Sequence, residues 1–247
     1  MARQTAISIN TIPIGPLGII GMPGCEELTD KIDQYLVKWR KTQASEHAES
    51  IAFFGYQRDT YKIDVSIPRF GSGEGKGVIN ESVRGYDIYI VCDVFNYSCS
   101  YDMYGRKVYM SPDDHFADLK RVISALCSKP KRVSVIMPML YEGRQHKRSS
   151  RESLDCAMAL KELVHLGVEN IITFDAHDQR VQNAIPDKSF ENVMPTYQMI
   201  KALVNNVEDL IVDKDHLMII SPDEGALHRC IYFATQLGVN LGMFYKR

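Results

Sequence analysis

From residue 86 onward one pattern repeats: a short, apolar, β-branched run, then a stretch with apolar residues at helical spacing. The runs are residues 87–92 (DIYIVC), 132–137 (RVSVIM), 170–174 (NIITF), 216–220 (HLMII) and 240–245 (NLGMFY). Nearly continuous apolar strands are what a parallel sheet covered on both faces requires. Between them, Phe116, Leu119, Ile123 and Leu126 mark a first helix. Ala157, Leu160, Leu163 and Val164 mark a second, which Gly167 ends as a left-handed cap. Residues 196–204, after Pro195, form a third, and residues 226–237, before Gly238, a fourth. This alternation predicts right-handed crossovers and an α/β fold, a parallel Rossmann-like sheet with helices on both faces.

The first 85 residues are less regular. Residues 26–39 read as an amphipathic helix and 62–67 alternate like a half-buried strand, whereas 40–60 are polar with an apolar break at 51–54. The tyrosine-rich stretch 96–110 (NYSCSYDMYGRKVYM) reads as a hairpin or a loop excursion. The net charge of −2, from 29 basic and 31 acidic residues, provides no bulk field for nucleic acid or an anionic membrane. No apolar run approaches the ~20 residues of a membrane span. Residues 7–23 are apolar but broken by Pro13, Gly15, Pro16, Gly18 and Gly21, and lack a charged leader, which argues against a signal peptide. The six cysteines are scattered without zinc spacing and read as reduced thiols, so a cytoplasmic protein is expected.

Ligands of open parallel sheets bind beyond the carboxyl ends of the strands, so the residues after each run matter most. Arg144, Gln145, His146, Lys147 and Arg148 follow the second run; Asp175, His177 and Asp178 follow the third. Ser221, Asp223 and Glu224 follow the fourth, and Lys246 and Arg247 the fifth. Basic side chains neutralise phosphate oxygens, while carboxylates and imidazole hold Mg2+ directly or through its waters. Each element has a plainer reading. Residues 144–151 also suit a solvated basic loop, and His177 a structural histidine. Asp223 and Glu224 suit a helix N-terminus, Ser221 a helix cap, and Glu74 a surface turn.

The strings themselves resemble the ribose-phosphate pyrophosphokinase (PRPP synthetase) family from about residue 65 onward. Residues 69–74 (RFGSGE) are similar to its R-F-x-D-G-E, and 80–87 (NESVRGYD) to its N-E-x-V-R-G-x-D. Arg144-Gln145 with Arg151-Glu152 resembles its A-R-Q-D-R-K…R-E loop; 173–177 (TFDAH) resembles T-M-D-L-H; 221–226 (SPDEGA) resembles S-P-D-x-G-G; 245–247 (YKR) resembles the start of D-K-R-R.

The resemblance implies a type I phosphoribosyltransferase-like domain. It also implies Mg2+-dependent transfer of the β,γ-diphosphate of ATP to ribose 5-phosphate, in a homo-oligomer built from dimers towards hexamers. By the same resemblance Phe70 stacks near adenine and Glu74 holds its amino group, with Ser72 beside them, across a subunit interface. Arg144 and Gln145 contact ATP; His177 and Asp223 are associated with Mg2+, and Asp223 also lies towards the ribose. Lys246, with His177 and Arg247, belongs to the catalytic set and stabilises charge as AMP leaves.

The departures are Ser72 and His146, each where the family has Asp, and the order Lys147-Arg148. The expected organisation is a divergent N-terminal extension with a first helix over 1–60, and a PRPP-synthetase-like α/β domain over 61–240. The start of a catalytic loop then follows over 241–247. The T-x-G-T phosphate loop that would hold ribose 5-phosphate is missing from these residues, so the chain reads as truncated and inactive by itself. The competing reading is a non-catalytic regulatory or scaffold subunit. A phosphoribosyltransferase-like domain is a further rival, and the missing loop weighs against it.

Overall fold

The computed structural model describes residues 13–46 and 57–245. They fall into two compact units divided after Val193. The first unit is built on five parallel strands. In chain order its elements are β1 (Leu17–Gly21), α1 (Glu26–Glu46), β2 (Val65–Ser66), β3 (Val78–Ile79), β4 (Asp87–Val91), β5 (Ser100–Met103), β6 (Arg106–Tyr109), α2 (Pro112–Ala125), β7 (Arg132–Met137), α3 (Asp155–His165), β8 (Asn170–Phe174) and β9 (Ser189–Val193). The sheet order is β1-β4-β7-β8-β9, while β2-β3 and β5-β6 are separate antiparallel pairs.

Residues 61–63 extend the sheet on the outer side of β1. Ile19 donates to the Tyr61 carbonyl at 2.8 Å and accepts from Ile63 at 2.8 Å, alongside a parallel bridge from Ile19 to Lys62. Both backbone groups of Ile19 point there, so this strand lies opposite β4. The chain therefore steps outward from β1, then returns to build β4 on its other side. That reversal is a topological switch point, where ligands of doubly wound sheets bind. Asp33 of α1 fixes the outward step, accepting from the Tyr61 backbone at 2.7 Å and the Thr60 hydroxyl at 2.8 Å.

The strands are legible as buried because they are apolar on both faces. Ile88 and Ile90 of β4 and Val133, Val135 and Met137 of β7 meet Leu119 and Val122 of α2 and Leu160 and Leu163 of α3. On the opposite face Ile19 and Val91 meet Ile32, Leu36 and Val37 of α1. Helix α2 starts where the sequence provides a full stop signal: Pro112 lies in its first turn, and Ser111 and Asp114 form a reciprocal capping box.

Two strands of the main sheet escaped the sequence reading. β1 lies in the stretch treated only as an interrupted apolar run, and so joins the core from within the segment assigned to an extension. Its glycines are there for space, since a Cβ on Gly21 would stand 2.6 Å from the Thr29 hydroxyl and one on Gly18 2.6 Å from Ile88 Cδ1. β9 is an edge strand with alternating exposure, and its sequence, SFENV, is too polar to stand out.

The second unit holds α4 (Thr196–Asn206), β10 (Met218–Ser221), α5 (Leu227–Leu237) and β11 (Asn240–Met243). β10 and β11 pair in parallel with each other alone, so the last two apolar runs form their own ladder rather than extending the main sheet. Gly238, at φ +69°, ends α5 as expected. Met218, Ile220 and Leu241 remain substantially exposed on this ladder, unlike Ile88, Ile90 and Val135 in the central strands β4 and β7 of the first unit. Among the described residues no helix is long and apolar enough to cross a membrane, and all six cysteines are free thiols.

Candidate functional site

Adjacent parallel strands β7 and β8 bring the segments that follow them to one rim. The segment after β7 is anchored through Tyr141, whose ring stacks on Phe116 at 4.3 Å and whose hydroxyl donates to Asp113 at 2.6 Å. Burial, followed by that hydrogen bond to Asp113, pushes the Tyr141 hydroxyl well above its usual range. Gly143 and Gln145 close tight turns on the Leu140 and Glu142 carbonyls. Arg144 is thereby presented to solvent. Gln145, expected to contact nucleotide, donates its side-chain amide inward to the Ser153 carbonyl at 2.8 Å and so braces the basic loop 146–153.

The segment after β8 turns sharply at Asp175, which has φ +46°. A positive φ in a non-glycine residue is uncommon, and here it leaves His177 exposed while the Ala176 N–H reaches the Asn192 side chain at 2.8 Å. His146 spans the two segments. Its Nδ1 lies 3.1 Å from the Arg144 carbonyl, its Nε2 lies 3.4 Å from an Asp178 oxygen, and its ring stands edge-on to His177 at 5.1 Å. The family residue at this position, aspartate, would set one carboxylate against another. Histidine instead provides a polar partner for Asp178.

Asp178, counted from the sequence among the carboxylates open to ligand, is already engaged. Arg180 clamps it, with Nε at 2.9 Å from one oxygen and a terminal nitrogen at 2.5 Å from the other, and its backbone N–H adds a bond of 2.8 Å. These Arg180 bonds, side chain first and backbone second, hold the Asp178 carboxyl well below the usual range. A depressed carboxyl contributes stability that is complete above its unfolded value and is lost only as pH falls through the folded one. Because Arg180 is solvent-exposed, water screens the pair and that contribution is small. A carbon-detected NMR titration should find Asp178 still ionised below about pH 3.9, the value for a free aspartate. Arg180→Ala should return it to that range.

The third group is the turn 69–75. Phe70 donates to the Glu74 carbonyl at 2.9 Å and Gly73 to the Phe70 carbonyl at 2.8 Å. Phe70 is 57% exposed, and Ser72 donates its hydroxyl to the Glu74 carboxylate at 2.7 Å. Arg69 points the other way, into a network that the sequence did not reveal. Its guanidinium reaches Asp118 of α2 at 2.5 Å, and Asp118, 2% exposed, also accepts from Arg121 at 2.6 Å. Burial raises the Asp118 carboxyl, against the pull of the two arginines. A cavity of ≈ 300 Å³ opens beside this network, lined by Pro23 and Gly24 after β1 and by Glu26, Arg69 and Tyr101, at the switch point.

In the second unit, Asp223 accepts from the Ala226 N–H at 3.0 Å, and buried Ser221 donates to the Asp223 carbonyl at 2.7 Å. These bonds shape the turn between β10 and α5. Lys246 and Arg247 lie outside the described residues. Among the described residues no three His, Cys, Asp or Glu side chains gather as a metal cluster.

A doubly wound sheet with arginines, imidazoles and an exposed aromatic turn beyond its strand ends defines an α/β protein of the kind that takes ligands at the carboxyl ends of its strands. The chain belongs to the family of the N-terminal domain of ribose phosphate pyrophosphokinase, whose pattern matches residues 17–167. It is 25% identical over 189 residues to the ribose-phosphate pyrophosphokinase of Aquifex aeolicus (strain VF5), covering 74% of this chain and 53% of that protein. Against the Helicobacter pylori (strain 26695) protein of the same name it is 29% identical over 188 residues, covering 73% and 51%. The chain thus spans about half the length of the curated relatives it matches. Its fold is that of phosphoribosylpyrophosphate synthetase from Mycobacterium smegmatis, at a TM-score of 0.69 and 20% identity, over 94% of this chain and 64% of that one.

Proposed function

We propose that the complete protein is a ribose-phosphate diphosphokinase to which this chain contributes the nucleotide side of the site. The observation that supports this best is the shared rim of β7 and β8, where Arg144 and His177 stand on segments joined through His146. In the proposed reaction the 1-hydroxyl oxygen of ribose 5-phosphate attacks the β-phosphorus of ATP. The bond from that phosphorus to the α,β-bridging oxygen breaks, AMP departs with the electron pair, and the hydroxyl proton is released to solvent. Arg144 serves to neutralise phosphate oxygens, and the turn 69–74 takes the base, with Glu74 accepting from its amino group.

Magnesium bound with the nucleotide would offset charge on the β,γ-oxygens. Mg2+ keeps much of its water and needs few protein donors, so the exposed His177 imidazole suits an ion that arrives with ATP rather than a resident one. The metal-side role of Asp223 and the transition-state roles of Lys246 and Arg247 rest on the sequence resemblance, as does assembly into a homo-oligomer in the cytoplasm.

The test is an assay of the full-length protein for AMP formation. Product should require ATP, Mg2+ and ribose 5-phosphate together, and omission of any one should abolish it. Binding of Mg-ATP with no product would favour the regulatory or scaffold reading, to which the inward-facing Gln145 amide lends some support.

A further inference from the structure

The tyrosine-rich hairpin β5-β6 is docked on the turn 69–75 by three separate contacts. The Tyr104 N–H donates to the Gly71 carbonyl at 2.9 Å. The Arg69 guanidinium lies 4.4 Å from the centre of the Tyr101 ring. Met103 and Tyr101 fill the space beside Gly73, where a Cβ would stand 2.9 Å from the Met103 sulfur and 3.3 Å from Tyr101 Cε2. Tyr101 and Met103 are two apart on one strand and so share the face that meets the turn. Arg69 is in turn fixed to Asp118, which anchors the assembly to α2.

The tip of this hairpin has an unusual residue. Met103 pairs with Arg106, leaving Tyr104 and Gly105 as a two-residue loop with φ +48° and +75°. Such loops favour Asn or Asp followed by Gly, because both central residues need positive φ. Here a bulky aromatic side chain occupies the unfavourable position, and its ring is 80% exposed. Neither burial nor turn preference accounts for it. Its backbone is hydrogen-bonded to the residue that follows Phe70, itself 57% exposed. Two exposed aromatic side chains are thus carried on two loops held together at their junction.

We propose that the β5-β6 hairpin is part of the nucleotide subsite: Tyr101 and Met103 fix the turn 69–75 from behind, and Tyr104 is a further base-contacting residue beside Phe70. The occupant is the adenine ring of ATP, so the inference rests on the function proposed above. Aromatic faces accept bases by stacking, and the Glu74 carboxylate, oriented by the hydrogen bond from the Ser72 hydroxyl, selects a base that presents an amino group.

The test measures Kd for a non-hydrolysable ATP analogue with Mg2+, by calorimetry on the full-length protein. Tyr104→Ala should weaken binding about tenfold, within the range a stacked base contributes, whereas Tyr104→Phe should bind as the parent does. Because the Tyr104 ring is exposed, both variants should melt with the parent, and inorganic tripolyphosphate should bind all three equally. Unchanged ATP affinity in Tyr104→Ala, alongside a loss in Phe70→Ala, would overturn the role of Tyr104 and leave the proposed function standing. Failure of the parent and every variant to bind ATP would overturn both.

Discussion

Replacing Asp118 with alanine is expected to destabilise the protein by about 3–5 kcal/mol, the cost of removing one partner from a buried ion pair. Asp118 is 2% exposed and the Arg69 side chain 11%, so the substitution strands a guanidinium that water cannot fully reach. Arg121 is more exposed and can turn outward. The surroundings cannot collapse easily, because a Cβ on Gly75 would already stand 2.9 Å from Arg69 and 3.0 Å from Asp118. For a chain of this size, the midpoint should fall by roughly 2–4 °C per kcal/mol. Asp118→Leu combined with Arg69→Met should recover much of the loss, since paired apolar replacements are often neutral. Thermal denaturation of the two variants beside the parent checks this. Equal melting of Asp118→Ala and the parent would mean that the pair does not anchor the turn.

The second large effect falls on chemistry. Under the proposed function, His177→Ala in the full-length protein should lower kcat by about 10²–10³, the usual loss when one group that meets developing charge is removed. The side chain is exposed, with its ring edge-on to His146, so stability should hold within the ±0.5 kcal/mol expected of a surface substitution. Affinity for ATP in the absence of ribose 5-phosphate should change little. Steady-state kinetics with a separate binding measurement distinguish this from a structural role, which would lower kcat, affinity and stability together.

Much of this architecture is legible in the residues because single segments carry it. β4, β7 and β8 show themselves as apolar runs, α2 through the helical spacing of Phe116, Leu119, Ile123 and Leu126, and α5 through Gly238. Their carboxyl ends share one rim once the sheet is parallel, which is why the segments carrying Arg144 and His177 are expected on the same side. The strand β1 is hidden by the glycines its close packing demands. Pairs that join distant segments leave no local trace: Arg69 and Asp118 are 49 residues apart, and nothing near either one announces the other. His146 looks in sequence like a lost aspartate, and only the position of Asp178 across from it gives the histidine a physical reason.

The most direct test of the central claim is the fate of the β-phosphorus. The full-length protein is given ribose 5-phosphate, Mg2+ and ATP labelled in the β-phosphoryl group, and the products are separated. The account predicts that all label leaves on the sugar as its 1-diphosphate, with unlabelled AMP formed in equal amount. Label retained in ADP would mean that only the terminal phosphoryl group moves, and would contradict the account.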